Sequence, residues 1–319
     1  MRAIVITRHG GPEVLELQDV PEPDPGPGQL LVALEAAGVN YRDVYEREGG
    51  SAHAAPTPAV CGVEGAGTVV VSRSDEFREG DRVAWAAAPG SYAERVVVDA
   101  AGAVPLPDGT PSDLAAAVLL QGMTAHYLSH STYPVQPGDD VLVHAAAGGV
   151  GLLLVQMVKR RGGRVIATTS TAEKARLARD AGADETIGYD GFAERVRELT
   201  GGDGVAAVYD GIGRATFDDS LESLRRRGYM VLYGEASGRP DPVAPERLRG
   251  RSVFLTRPGL PSYTVTREEL LERAEAVLGW VADGSLDVRV GARHPLAEAR
   301  RAHADLEARC TTGKLLLIP

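Results

Sequence analysis

Cysteine is nearly absent from this chain: Cys61 and Cys310 are the only two in 319 residues. Two thiols cannot build a disulfide framework, so a reducing, cytoplasmic setting is the expectation. No apolar run is long enough to span a bilayer. The opening MRAIVITRHG lacks the hydrophobic core of a signal peptide. Net positive charge is lacking too. Asp and Glu number 44 against 34 Lys and Arg, a formal net charge of −10. That balance argues against nucleic acid or an anionic membrane as the main partner. The basic runs Lys159-Arg160-Arg161 and Arg225-Arg226-Arg227 each stand just before a glycine. Both read as charges at helix C-termini, where cations are favoured. The seven histidines form no H-E-x-x-H or paired ligand spacing. No internal repeat or low-complexity tract is present.

What the chain has is length and two textures. A chain of this size buries roughly 75% of its unfolded surface and suggests about two domains. Residues 1–110 look β-rich, with strands expected at 3–7, 29–37, 65–71, 81–86 and 94–98, and a surface loop at PEPDPGPG, 21–28. This pattern suggests a curled sheet or partial barrel. From about 140, apolar runs alternate with helix-period segments. Strands are expected at 141–145, 164–169, 185–188, 205–210, 229–234 and 252–257. Helices are expected at 150–161, 172–181, 192–200 and 215–227, stopping at Gly162, Gly182, Gly201 and Gly228. Six such strands predict a doubly wound parallel sheet of the dinucleotide-binding kind. After 260, two helical patterns, the short DVRV and the strand KLLLIP are expected to fold back onto the first domain. The second domain is then an insertion: 1–120 with 259–319, and 121–258.

The turn HAAAGGVG, 144–151, follows the apolar run Val141-Leu142-Val143. The usual G-x-G-x-x-G register falls on Ala146, Gly148 and Gly151. A glycine-rich turn between strand and helix lets backbone N–H groups approach an anion, and the helix N-terminus adds positive potential. Gly148, Gly149, Val150 and Gly151 are therefore the candidate phosphate cradle. The plainer alternative is close strand–helix packing.

The end of the second expected strand selects the cofactor. An NAD site places a carboxylate there for the ribose hydroxyls. Here the chain reads Thr168-Thr169-Ser170-Thr171, with Lys174 one helical turn on. Hydroxyls and an ammonium suit a 2′-phosphate, so NADPH is predicted over NADH. Tyr189 offers a further hydroxyl from the end of the third strand. Ser170 or Thr171 also suits a helix cap, which is compatible with phosphate binding.

QGMTAHYL (121–128), HAAAGGVGLLLVQ (144–156), RRRGYMVLYGEASG (225–238) and FLTRP (254–258) resemble the zeta-crystallin-type quinone oxidoreductases of the medium-chain dehydrogenase/reductase superfamily. The resemblance runs over nearly the whole chain. It implies an α/β protein in which a Rossmann domain with a six-stranded parallel sheet is inserted into a GroES-like catalytic domain. It also implies NADPH as cofactor and a homodimer joined through the Rossmann sheets. Asn40 and Tyr45 are implied beside the nicotinamide and substrate. Thr124 is implied at the carboxamide or ribose, with Gly234, Phe254 and Thr256 along the same face. A phenol of pKa about 10 stays protonated at neutral pH, so Tyr45 can donate to a carbonyl oxygen. Zinc-dependent members place a cysteine ligand at the position of Asn40 and a histidine at that of Val63. A structural zinc lobe needs four cysteines. No metal is therefore expected. Relatives also carry an aromatic shortly after the position of Tyr45, whereas REGGSAHAAPTP has Ser51 and His53 and none. That change implies a roomier pocket or a shifted substrate preference.

Without a Lewis acid, alcohol oxidation is disfavoured, while a quinone is already electrophilic. The expected activity is NADPH-dependent reduction of a small-molecule quinone. Two alternatives stand: reduction of an α,β-unsaturated ketone or enoyl thioester, and a non-enzymatic NADPH-binding structural protein.

Overall fold

Short aliphatic runs closed by glycine and proline fill the first hundred residues, and they fold as strands. A computed structural model describes residues 1–50, 54 and 56–319; Ser51 and His53 lie outside the described residues. The first eight strands are β1 (Arg2–Ile6), β2 (Leu15–Asp19), β3 (Gln29–Val39), β4 (Ala59–Val60), β5 (Glu64–Ser72), β6 (Arg82–Trp85), β7 (Arg95–Asp99) and β8 (Val104–Pro105). Between β3 and β4 lies helix α1 (Tyr41–Glu48), and α2 (Ser112–Tyr127) follows β8. The next six strands are β9 (Asp140–Val143), β10 (Arg164–Thr168), β11 (Glu185–Ile187), β12 (Val205–Asp210), β13 (Leu224–Leu232) and β14 (Phe254–Thr256). They alternate with α3 (Gly149–Arg160), α4 (Ala172–Asp180), α5 (Phe192–Leu199), α6 (Phe217–Glu222) and α7 (Glu246–Arg249). The chain then runs through α8 (Arg267–Ala282), β15 (Val290–Pro295), α9 (Ala299–Glu307) and β16 (Lys314–Ile318).

The chain divides into two compact units. Met1–Leu120 and Thr266–Pro319 form one, and Gln121–Val265 the other. In the first, a seven-stranded sheet runs β15-β16-β3-β5-β6-β8, with β7 also paired to β3, beside a three-stranded sheet β2-β1-β4. Its core is built from Ile4, Leu30, Val32, Trp85, Tyr92 and Leu317. Strand β16 pairs antiparallel with β3, so the C-terminal segment completes the first sheet. The second unit holds one parallel sheet in the order β11-β10-β9-β12-β13-β14. The order reverses between β9 and β12, and such a switch point is where ligands bind in doubly wound sheets.

Two expectations need correction. The second crossing between units falls at Val265, not 258. Tyr263 stacks on Tyr127 with ring centroids 4.3 Å apart, and the Thr132 hydroxyl donates to the Tyr263 hydroxyl at 2.8 Å. Those contacts hold residues 259–265 in the second unit. The helix expected over 215–227 is only α6, six residues long. Arg225-Arg226-Arg227 lie on β13, not at a helix end. Arg225 reaches Asp139 Oδ1 at 3.1 Å, and Arg227 adopts φ 58°. By contrast, Lys159 and Arg160 do end α3, as expected.

Candidate functional site

Strand β9 delivers the chain into the turn at His144. The Ala145 N–H donates to the Tyr189 hydroxyl at 3.2 Å, and Ala145 takes φ 49°. A Cβ on Gly151 would lie 2.4 Å from the Ala145 carbonyl oxygen and 2.7 Å from Ala146 Cα. The packing of α3 on the turn thus requires that glycine. Gly148 and Gly149 are different. Gly148 has φ −79°, open to any residue. A Cβ there would meet only Ala145 O at 3.2 Å, and one on Gly149 only the Gln121 side-chain amide, from 3.2 Å. The protein's own packing accounts for Gly151. It does not account for the other two. The start of α3 adds unpaired N–H groups and a positive potential, which fits a pyrophosphate.

A buried relay ties three strand ends together beneath this turn. Asp210, at the end of β12, accepts from the backbone of Ile212 and Gly213 and from the hydroxyls of Thr216 and Ser220. Because Ser220 donates to the carboxylate, its oxygen accepts from His144 Nε2 at 2.9 Å. His144 Nδ1 then accepts from the Thr168 hydroxyl at 2.8 Å. Burial depresses the imidazole's pKa and keeps it neutral. His144 therefore braces the carboxyl edge of the sheet.

At the end of β10 the exposed Ser170 precedes Thr171, which caps α4 by accepting from the Lys174 N–H at 3.2 Å. The half-exposed Lys174 stands on that first turn. The second unit thus brings Gly148, Gly149, Val150, Gly151 and Tyr189 into one turn, with Ser170 and Lys174 at the next strand end. Gly234 follows β13, and a Cβ there would lie 2.7 Å from the Gly211 carbonyl oxygen. Thr256 is in register with Val231, Tyr209 and Val143, at the carboxyl side of the sheet. Phe254 is not brought there. Its register leads through Tyr229 and Ala207 to Val141, near the start of β9, and its ring stacks on Tyr229 at 4.5 Å. Thr124 is buried on α2.

In the first unit, Asn40 and Tyr45 sit on α1. Asn40 is the N-cap, with its backbone N–H donated to Asp43 Oδ2 at 2.8 Å. Tyr45 is half-buried, its ring 6.2 Å from that of Tyr41. Sequence reasoning left Glu64 without a role and passed over Lys314. The structure joins them: Lys314 Nζ lies 2.5 Å from Glu64 Oε2 and 2.8 Å from Asn40 Oδ1. The Asn40 amide nitrogen donates to Glu64 Oε2 at 3.0 Å and to the Gly38 carbonyl at 3.1 Å.

A second buried chain supports α1 from behind. Arg47 Nη1 donates to His303 Nδ1 at 3.2 Å, His303 Nε2 faces the Tyr92 hydroxyl at 3.2 Å, and Tyr92 donates to Asp43 Oδ2 at 2.8 Å. Since an arginine only donates, His303 carries its proton on Nε2. Burial, aided by Arg47, pushes the His303 pKa down to about 3. Burial raises that of Asp43 to about 6 against the bonds from Tyr92 and Asn40. A depressed histidine stabilises the fold above its free pKa of about 6.5, and that contribution is lost as pH falls toward the folded value. His303→Gln lacks this loss. Its stability deficit against the wild type, measured by urea unfolding, should therefore shrink by about 2 kcal/mol from pH 7 to pH 5. A deficit constant over that range would contradict the neutral assignment.

Two family models match the chain: the alcohol dehydrogenase GroES-like domain over residues 26–108 and the zinc-binding dehydrogenase over 149–274. A quinone oxidoreductase of Pseudomonas aeruginosa is 43% identical over 100% of this chain and 99% of its own. A 2-haloacrylate reductase of a Burkholderia species is 41% identical over 99% of this chain and 98% of its own. A mycobacterial protein solved in complex with NADPH superposes with a TM-score of 0.97 at 50% identity, both chains being covered in full. The glycine turn, the strand end without a carboxylate and these likenesses agree: the chain is an NADPH-dependent oxidoreductase and belongs to the zeta-crystallin-type quinone oxidoreductase family of the medium-chain dehydrogenase/reductase superfamily.

Proposed function

We propose that this enzyme reduces a quinone with NADPH and without zinc. One observation carries the reading: the Lys314 ammonium sits on Asn40 and Glu64, where zinc-dependent members of the superfamily gather ligands. A cation already bonded to those oxygens repels a second one. Asn40 and Val63 also lack the thiolate and imidazole that hold zinc firmly. The residues present do not fit a catalytic zinc. With no metal to stabilise an alkoxide, the acceptor must itself be electrophilic.

Bound NADPH supplies the hydride. The glycine turn holds the pyrophosphate, while Ser170, Lys174 and Tyr189 take the adenosine end. Asn40, Thr124, Gly234 and Thr256 serve the nicotinamide end. Tyr45 donates a hydrogen bond to an acceptor oxygen, and the reduced quinone takes its protons from solvent. Positioning of this kind supplies up to about 7–11 kcal/mol in favourable cases. The enzyme is further read as cytoplasmic and as a homodimer joined through the Rossmann sheets, supported by the edge strand β14 with Phe254 48% exposed. A monomer mass by light scattering would remove the dimer.

A second reading is favoured by the similarity to a 2-haloacrylate reductase, which is named for an unsaturated acid. Reduction at carbon needs a proton delivered to the neighbouring atom, and general acid catalysis is typically worth about 10²–10⁴-fold. NADPH oxidation should be followed over ortho-quinones, para-quinones and enones, with metal content measured on the same sample. Wild type is expected to turn over quinones at zinc contents far below one per chain. Tyr45→Phe is expected to keep quinone kcat/KM within about 5-fold and to lower any enone rate by about 100-fold. Turnover that requires stoichiometric zinc sinks the first reading, and enone turnover exceeding quinone turnover selects the second.

A further inference from the structure

Lys314 opens β16 and is 2% exposed, and Glu64 is fully buried. A buried ion pair is weak support for stability, because apolar residues of the same volume often do as well or better. Its presence calls for another reason. The space around it is closed: a Cβ on Gly38 would fall 2.3 Å from Glu64 Oε2, 2.7 Å from Lys314 Cε and 2.7 Å from the Ala116 carbonyl oxygen. Glu64 Oε1 is also engaged, accepting the Leu120 N–H at 2.8 Å. The carboxylate is thus fixed from both sides.

The chemistry of the partners sets the orientation of Asn40. An ammonium can only donate and a carboxylate can only accept. The Asn40 atom beside Lys314 must be the oxygen, and the atom beside Glu64 must be the nitrogen. Both bonds inward from the nitrogen, to Gly38 and Glu64, use its hydrogens. If Lys314 were apolar, the Asn40 oxygen would lose its charged donor, and only Glu64, the Gly38 carbonyl and the Asp43 N–H would be left to set the carboxamide.

We propose that Lys314 is a positioning residue for the hydride-transfer site. Its ammonium, seated on Glu64, holds the Asn40 carboxamide one way round, with oxygen as the acceptor and both hydrogens committed inward. The inference rests on the reading that Asn40 serves the nicotinamide end. Lys314 itself touches neither cofactor nor substrate; it acts through Asn40. A fixed internal charge does the orienting that a bound metal ion does for its ligands.

Lys314→Met alone strands the Glu64 carboxylate and is expected to melt early. The test therefore uses the neutral pair E64Q/K314M, with N40A and the combined N40A/E64Q/K314M. Melting temperature, NADPH affinity by fluorescence and quinone kcat/KM are measured for each. The neutral pair is expected to melt near the wild type yet lose about 10- to 100-fold in kcat/KM, the scale of a small misplacement. N40A is expected to lose a similar factor, and the combined variant little more, since the three residues act as one unit. Three outcomes overturn the inference: a stable neutral pair with wild-type kcat/KM, losses that multiply in the combined variant, or a neutral pair that fails to fold. Wild-type protein inactive on every quinone would instead end the functional reading itself.

Discussion

Gly151→Val is expected to weaken NADPH binding by about 100-fold. The atoms it would strike are the Ala145 carbonyl and the Ala146 backbone, at 2.4 to 2.9 Å from the new Cβ. None is the flexible end of a side chain. The turn or α3 must shift as a whole, and overpacking of this kind costs about 1–3 kcal/mol or more. A shift near 1 Å moves the N–H groups off the phosphate oxygens, with an affinity loss on the order of 100-fold. Gly148→Ala separates folding from binding. Its Cβ would stand 3.2 Å from one carbonyl oxygen, so the fold should tolerate it. Weaker NADPH binding with an unchanged melting temperature assigns that glycine to the ligand. Normal fluorescence titration by G148A would show that the cradle lies elsewhere.

Lys174→Glu is expected to invert the coenzyme preference through electrostatics. Lys174 stands in the first turn of α4 after the Thr171 cap, and Glu173 shares that turn. The substitution places two carboxylates where a 2′-phosphate is to sit. A unit pair at 4 Å is worth about 4 kcal/mol at an effective dielectric of 20, and exposure to solvent reduces this to about 2–3 kcal/mol. The expected fall in kcat/KM with NADPH is about 30- to 100-fold, with little change for NADH. High salt should narrow the gap between wild type and variant. Wild-type protein that uses NADH as well as NADPH, or an equal loss with both, would remove Lys174 from the adenosine site.

The second unit was legible because its signals are local. Apolar runs such as Val141–Val143, glycines after helices and the polar strand end at 168–171 all act within a few residues of where they stand. The failure at 215–227 shows the limit. Three consecutive arginines before a glycine satisfy every local rule for a helix end, yet they lie on β13. The bond from the Arg227 N–H to the Arg251 carbonyl and the reach of Arg225 to Asp139 outweigh propensity there. The same limit hid Lys314. Its partner Glu64 is 250 residues away, and nothing beside either residue announces the other. Asn40 and Tyr45 were assigned through family resemblance. The donor chain from Arg47 through His303 and Tyr92 to Asp43 had no sequence signal at all.

Strand β16 lies between β15 and β3 in the interior of its sheet. On the ribosome, β3 emerges early and must wait for its neighbour until the whole nucleotide-binding unit has been made. That inserted unit is continuous in sequence and can fold on its own schedule. The surrounding unit stays open at the edge of β3 meanwhile, a bare strand flank exposed to unwanted pairing. Slow elongation through residues 266–313 would prolong that vulnerable interval, and a chaperone that shields strand edges should raise the yield of active enzyme.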